Sequence, residues 1–96
     1  MPLNADQARS LAQRIASGHA WAEHRSEFAL VSDATAFASF IESILATPDA
    51  KRMLARGRAA YWHNESGTIV LLSPGDPDGG TCFKPGEGRR YFESIG

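Results

Sequence analysis

Phe37, Phe40, Ile41, Ile44 and Leu45 recur at three- and four-residue steps, the apolar stripe of an α-helix. Thr47-Pro48 ends that stripe, because a residue preceding proline is driven out of the helical region. After the basic stretch DAKRMLARGR the period changes. RAAYWH and TIVLLS are rich in aromatic and β-branched residues, and the NESG between them is a turn closing on glycine. The chain therefore turns from helical to extended once. That order implies an α+β fold in which N-terminal helices pack on one face of a twisted antiparallel sheet of three to four strands.

Two shorter segments precede the periodic helix. Asn4 or Asp6 can cap a first helix with Ala8, Leu11, Ala12 and Ile15 on one face, and Gly18 suits its C-terminal end. HAWAEHRSEF then places Trp21, His24 and Phe28 on the inward side of a second short helix, and Ser32 or Asp33 opens the third. On the strand side, TCFK follows the loop DPDGG as a third strand. The closing RRYFESI suits a last strand or a helical turn. No repeat, linker or low-complexity segment interrupts the chain. Residues 1–96 read as one domain, helical over about 4–47 and β over about 57–93.

Ninety-six residues suffice for a modest core. No run of about 18 apolar residues is present, so no membrane helix is expected. The N-terminus has no basic segment followed by an apolar one, and the expectation is a protein that is cytoplasmic as synthesised. Cys82 is the only cysteine and His19, His24 and His63 are scattered, which is not the paired spacing of a zinc site. No metal and no cofactor are expected. The net charge of −1 argues against binding of nucleic acid through bulk charge alone. The distribution is uneven: residues 1–50 carry three basic and six acidic side chains, residues 51–96 seven and five. A polyanion site would therefore lean on the second half.

Several residues can carry chemistry, each with a plainer structural alternative. His24, between Trp21 and Phe28, is either an acid/base group or a histidine at the core edge satisfied by a carbonyl. Arg56 and Arg58 flank Gly57 and, on an extended segment, project to the same side. They are either phosphate forks or solvated edge charges. Tyr61 and Trp62 face opposite sides of a strand, so one is core and the other stacks on a base or covers the sheet. His63 and His19 read as surface residues near turns. Thr81 and Phe83 share one face of the third strand, with Cys82 and Lys84 on the other. The glycine loop before them either lets a phosphate approach the Thr81 hydroxyl or is simply a tight turn. GDPDGG is not a phosphate loop of the Walker type, since it lacks Gly-Lys-Ser/Thr and a long following helix.

Taken in order, His24 and the EF at 27–28, FASFIESIL, GRAAYW, SGTIVLLSP, DGGTCFKP and GRRYF resemble the C-terminal nuclease domains of bacterial polymorphic and contact-dependent inhibition toxins, related in fold to the colicin D type of anticodon nuclease. The resemblance runs from about Trp21 to Phe92 and is densest from Gly57 to Phe83. It implies metal-independent cleavage of RNA, often tRNA, by attack of the ribose 2′-hydroxyl. Catalytic roles would fall to His24 as general base and acid, to Arg58 on the scissile phosphate and to Thr81 as a hydroxyl donor. Arg56, Trp62, Phe83 and Lys84 would contact the RNA. Such domains are held in check by an immunity or inhibitor protein and are delivered to other cells, and both expectations carry over. The alternative from a different class is a non-catalytic protein- or RNA-binding module that keeps the same fold.

Overall fold

The structure, a computed structural model, describes residues 4–28 and 31–95. Three helices come first: α1 (Ala5–Ala16), α2 (His19–His24) and α3 (Ala34–Ala46). Four strands follow, β1 (Ala50–Met53), β2 (Ala59–His63), β3 (Thr68–Leu72) and β4 (Gly80–Phe83), and a short α4 (Arg89–Ser94) ends the chain. The strands form one antiparallel meander in the order β1-β2-β3-β4. The α+β reading, with the N-terminal helices on one face of an antiparallel sheet, stands.

Local chemistry sets the helix ends. The Asn4 side chain accepts from the Gln7 amide at 2.8 Å and the Gln7 side chain accepts from the Asn4 amide at 3.0 Å, a reciprocal cap on α1. Asp33 caps α3 through the Ala36 amide, and α3 stops at Ala46, before Thr47-Pro48, as the proline requires. Gly18 does not end α1 in a left-handed conformation. Ser17 caps α1, and Gly18 instead opens α2, where a side chain would collide with Asp78.

Alternation along the strands divides the interior into two clusters. Tyr61, Val70 and Cys82 lie side by side across β2, β3 and β4 and face α1–α3, with Phe28, Phe37, Ile41 and Ile44 filling the space between. Trp62, Ile69 and Phe83 form the next row and face the other way. There α4 lays Phe92 and Tyr91 over them. Tyr61 and Trp62 are thus both buried, each about 3% exposed. Of the two alternatives for the second ring, Trp62 covers the sheet beneath the six-residue α4 and does not present a face for stacking on a base.

Two boundaries differ from expectation. The sheet begins at Ala50, within the basic stretch, rather than near residue 57, and residues 89–94 take the helical one of their two alternatives although the expected β part reaches about residue 93. β1 is an edge strand whose outward residues, Lys51 and Met53, are exposed. Arg52 turns inward, donating to the Phe92 carbonyl at 2.5 Å and lying over the Phe92 ring. Main-chain pairing with β2, this anchor and the Lys51 ammonium 5.4 Å over the Tyr61 ring hold the strand, without an apolar alternation that could announce it.

Candidate active site

β4 is the sheet edge nearest α2, and the site grows from it. The loop from Ser73 to Gly79 that delivers β4 is held by its own hydrogen bonds. Ser73 donates to the Gly79 carbonyl, and the Asp78 amide donates to the Asp76 carboxylate at 2.9 Å. Arg14, reaching across from α1, donates to the Pro77 and Asp76 carbonyls and lays its stem on Gly79. Gly80 has φ of 146°, and a Cβ there would stand 1.9 Å from the Leu71 carbonyl oxygen. Only glycine lets β4 approach β3 at this register. The loop is therefore a rigid lead-in that fixes where Thr81 and Phe83 stand.

Thr81 and Phe83 project to the α4 side and Cys82 to the α1–α3 side, as strand alternation requires. Thr81 lines a small cavity of about 180 Å³ with Arg58, Leu54, Leu71, Ser73 and Asp76. The Thr81 hydroxyl is buried and has no hydrogen-bond partner among the described residues. A buried hydroxyl without a partner is uncommon and costly, and this one lies in a cavity that Arg58 also lines. Arg58 also donates through Nε to the Ala55 carbonyl at 3.1 Å.

His24 stands at the end of α2 and does not lie between Trp21 and Phe28. Its ring stacks on Phe83, with centroids 5.4 Å apart and an interplanar angle of 29°. Trp21 and Phe28 instead pack on Phe37. The Nδ1 edge of His24 meets a Glu27 carboxylate oxygen at 2.5 Å, and Nε2 has Glu23 at 4.0 Å. The other Glu27 oxygen accepts from the Lys84 main-chain amide at 2.9 Å. Glu27 thus ties the histidine to β4. A carboxylate on Nδ1 fixes the ring and directs the lone pair of neutral imidazole to Nε2. Glu27 is a candidate site residue that the motifs do not single out, although its three-residue spacing from His24 is the available signal.

Phe83 is held between His24 and Tyr91, the latter edge-on at 5.6 Å. Arg58, Thr81 and Phe83 therefore belong to one side of the sheet, and His24 joins them over its β4 edge through Phe83. His24 does not line the Arg58–Thr81 cavity itself. Trp62 is removed from any contact surface: α4 covers it, and its indole N–H donates to Asn64 at 2.6 Å. Lys84 points to the opposite side, its ammonium 5.2 Å above the Phe28 ring.

The expectation for Arg56 and Arg58 also changes. They are not on one extended segment. Arg56 and Gly57 both have positive φ, 65° and 73°, and form the tip of the β1–β2 hairpin, so the two guanidiniums do not share a strand face. Arg56 is exposed at that tip, and Arg58 leads into β2. Cys82 is fully buried against the helices, and that burial pushes its thiol up, so it acts as packing. The side chain of His19 lies outside the described residues. Among the described residues no group of three His, Cys, Asp or Glu is placed to hold a metal ion, and no helix is long and apolar enough to cross a membrane. The chain matches no protein-family model and no curated protein.

Proposed function

We propose that the chain is an endoribonuclease domain that cleaves tRNA or another structured RNA by 2′-hydroxyl attack, without a metal in the reacting step. The observation that carries the reading is the His24–Glu27 pair stacked on Phe83, two residues from Thr81 on the same strand face. A base oriented by a carboxylate, a hydroxyl donor and a guanidinium are the groups that such a cleavage uses, and here they border one strand through Phe83 and Thr81.

In this reading neutral His24 takes the 2′-hydroxyl proton through Nε2. The 2′-oxygen bonds to phosphorus as the bond to the 5′-oxygen breaks, and that oxygen leaves with a proton from the imidazolium or from water. Arg58 and the Thr81 hydroxyl hold the non-bridging oxygens while charge gathers on them. The products are a 2′,3′-cyclic phosphate and a free 5′-hydroxyl. Phe83 offers its remaining edge to a base, and Arg56 offers a charge to the backbone. An inhibitory protein partner, and delivery to another cell, belong to the same reading through the toxin resemblance.

A non-catalytic binding module of the same fold is the second reading. The exclusion of His24 from the Arg58–Thr81 cavity favours it, because the parts of a catalyst must converge. One experiment separates the two. Purified protein is incubated with total tRNA in EDTA, beside His24→Ala. The enzyme reading expects cleavage by the wild type, cyclic phosphate ends, and a loss of at least a hundredfold in the variant. Equal cleavage by both proteins overturns His24 as the catalytic group while keeping an enzyme, and cleavage by neither leaves the binding module.

A further inference from the structure

Around the β4 edge from Phe83, on the side of the sheet that faces α3, lies a pocket of about 670 Å³ that the proposed reaction does not use. We propose that it binds a guanine base, as the specificity site of the ribonuclease reading above, on which this inference rests. The volume is within the range of small-ligand sites.

Its walls are aromatic. Phe28 and Phe40 meet edge-to-face at 5.7 Å, and both line the pocket. Phe28 is 2% exposed and lies under the Lys84 ammonium, so the ring open to an unstacked base is the half-buried Phe40. Among the described residues the polar lining is Glu27, Glu65, Lys84, His63 and Ser66, and the last four differ in hydrogen-bonding capacity. No described residue binds the Glu65 carboxylate, which projects from the β2–β3 turn. Lys84 supplies an ammonium donor above Phe28. His63 is tied down by a chain of hydroxyls. Ser66 donates to Thr68 Oγ1 at 2.8 Å, and Thr68 donates onward to the Ser66 carbonyl. Ser66 Oγ must then accept from His63 Nδ1 at 2.6 Å, which leaves Nε2 of the neutral ring as an acceptor.

The rim therefore offers one strong donor and a surplus of acceptors. Glu27 adds a second carboxylate to the wall, but both its oxygens are already taken by His24 and Lys84. With two carboxylates against one ammonium, the pocket disfavours a phosphate and favours a neutral group rich in N–H. Guanine is the base that fits. Its N1–H and N2–H lie side by side and suit a carboxylate such as Glu65, and its O6 suits the Lys84 ammonium. Adenine and cytosine present a ring-nitrogen acceptor where guanine has N1–H, so a lone pair would face the carboxylate. Uracil offers one N–H between two carbonyls. Because Glu27 is shared by the pocket wall and by His24, the base bound here belongs to a nucleotide next to the phosphate at His24.

Free nucleosides test the pocket without any cleavage step. Wild-type protein is titrated with guanosine, adenosine, cytidine and uridine, and amide shifts are followed by NMR. The expected result is guanosine binding at least tenfold tighter than the others, with shifts at Phe28, Phe40, Glu65 and Lys84. Glu65→Gln should lower guanosine affinity at least tenfold while leaving the melting temperature in place, since Glu65 is an exposed turn residue. Equal binding of the four nucleosides, no binding, or an unchanged Glu65→Gln overturns the proposal. The tRNA assay then tells the two readings apart. Cleavage with no preference for guanosine removes the pocket and keeps the enzyme. Guanosine binding without cleavage keeps the pocket and removes the enzyme.

Discussion

Glu27 holds His24 at 2.5 Å with one carboxylate oxygen and accepts from the Lys84 amide at 2.9 Å with the other. One side chain thus joins the turn after α2 to the end of β4. Without it the imidazole would keep its stacking on Phe83 and the distant Glu23 carboxylate at 4.0 Å, which leave open which nitrogen points outward.

Glu27→Gln separates orientation from binding. An amide retains one acceptor, enough for either His24 or Lys84, and it brings an N–H₂ that needs a partner of its own. For an enzyme of the proposed kind, kcat should fall on the order of 10²-fold or more while KM stays within about threefold. A parallel rise in KM would mean that Glu27 only shapes the RNA surface, and single-turnover kinetics on a defined tRNA decide the point.

Thr81→Val tests whether the orphan hydroxyl is kept for function. Valine is nearly isosteric and removes a buried group that has no partner among the described residues. Leaving such a group unsatisfied costs about 1–3 kcal/mol, so the variant should be more stable by up to that amount. Its RNA cleavage should nevertheless fall at least tenfold, with Thr81→Ser retaining most of the activity. A valine variant that is less stable, measured by urea unfolding, would show that the hydroxyl has a structural partner after all.

The glycines of the Ser73–Gly80 loop give a paired stability test. At Gly80 an added Cβ meets the Leu71 carbonyl at 1.9 Å and the backbone is strained for any side chain. Gly80→Ala should lose about 3 kcal/mol or more, through separation of β3 and β4. At Gly75 an added Cβ meets nothing within 4 Å, and φ is not in the left-handed region. Gly75→Ala should leave stability unchanged within about 0.5 kcal/mol or raise it slightly. Similar urea midpoints for the two variants would show that the loop is not the rigid lead-in to β4.

How far the chain discloses itself depends on how many residues share a decision. α3 is legible because five apolar residues repeat the same step and a proline closes it. β2 and β3 are legible because nearly every position is buried on one face or the other. β1 is not, since it is held by main-chain pairing and by Arg52 on the Phe92 carbonyl, a contact 40 residues away. Six residues of α4 are too few to establish a period, and so the covering of Trp62 could not be foreseen. At the candidate site the alternation of Thr81, Cys82, Phe83 and Lys84 follows directly from strand geometry. The stacking of His24 on Phe83 does not, because it depends on where α2 ends and how the loop after Ser73 is pinned by Arg14.

Arg56 holds a backbone conformation that is costly for a residue with a side chain. It holds φ of 65° and ψ of 30° at the hairpin tip, followed by Gly57 at φ of 73°. Asn-Gly is the preferred pair for a turn with two positive φ values, and arginine gains nothing there from its long side chain. Arg56→Asn should therefore stabilise the protein by about 0.5–1 kcal/mol, read from the urea midpoint at constant slope. If the tip touches the RNA backbone, the same variant should bind tRNA more weakly and lower the slope of log affinity against log salt by about one. The two readouts move in opposite directions only if Arg56 is retained for a polyanion. Greater stability with unchanged affinity would place the RNA path elsewhere, and lower stability would mean that the guanidinium holds the hairpin itself.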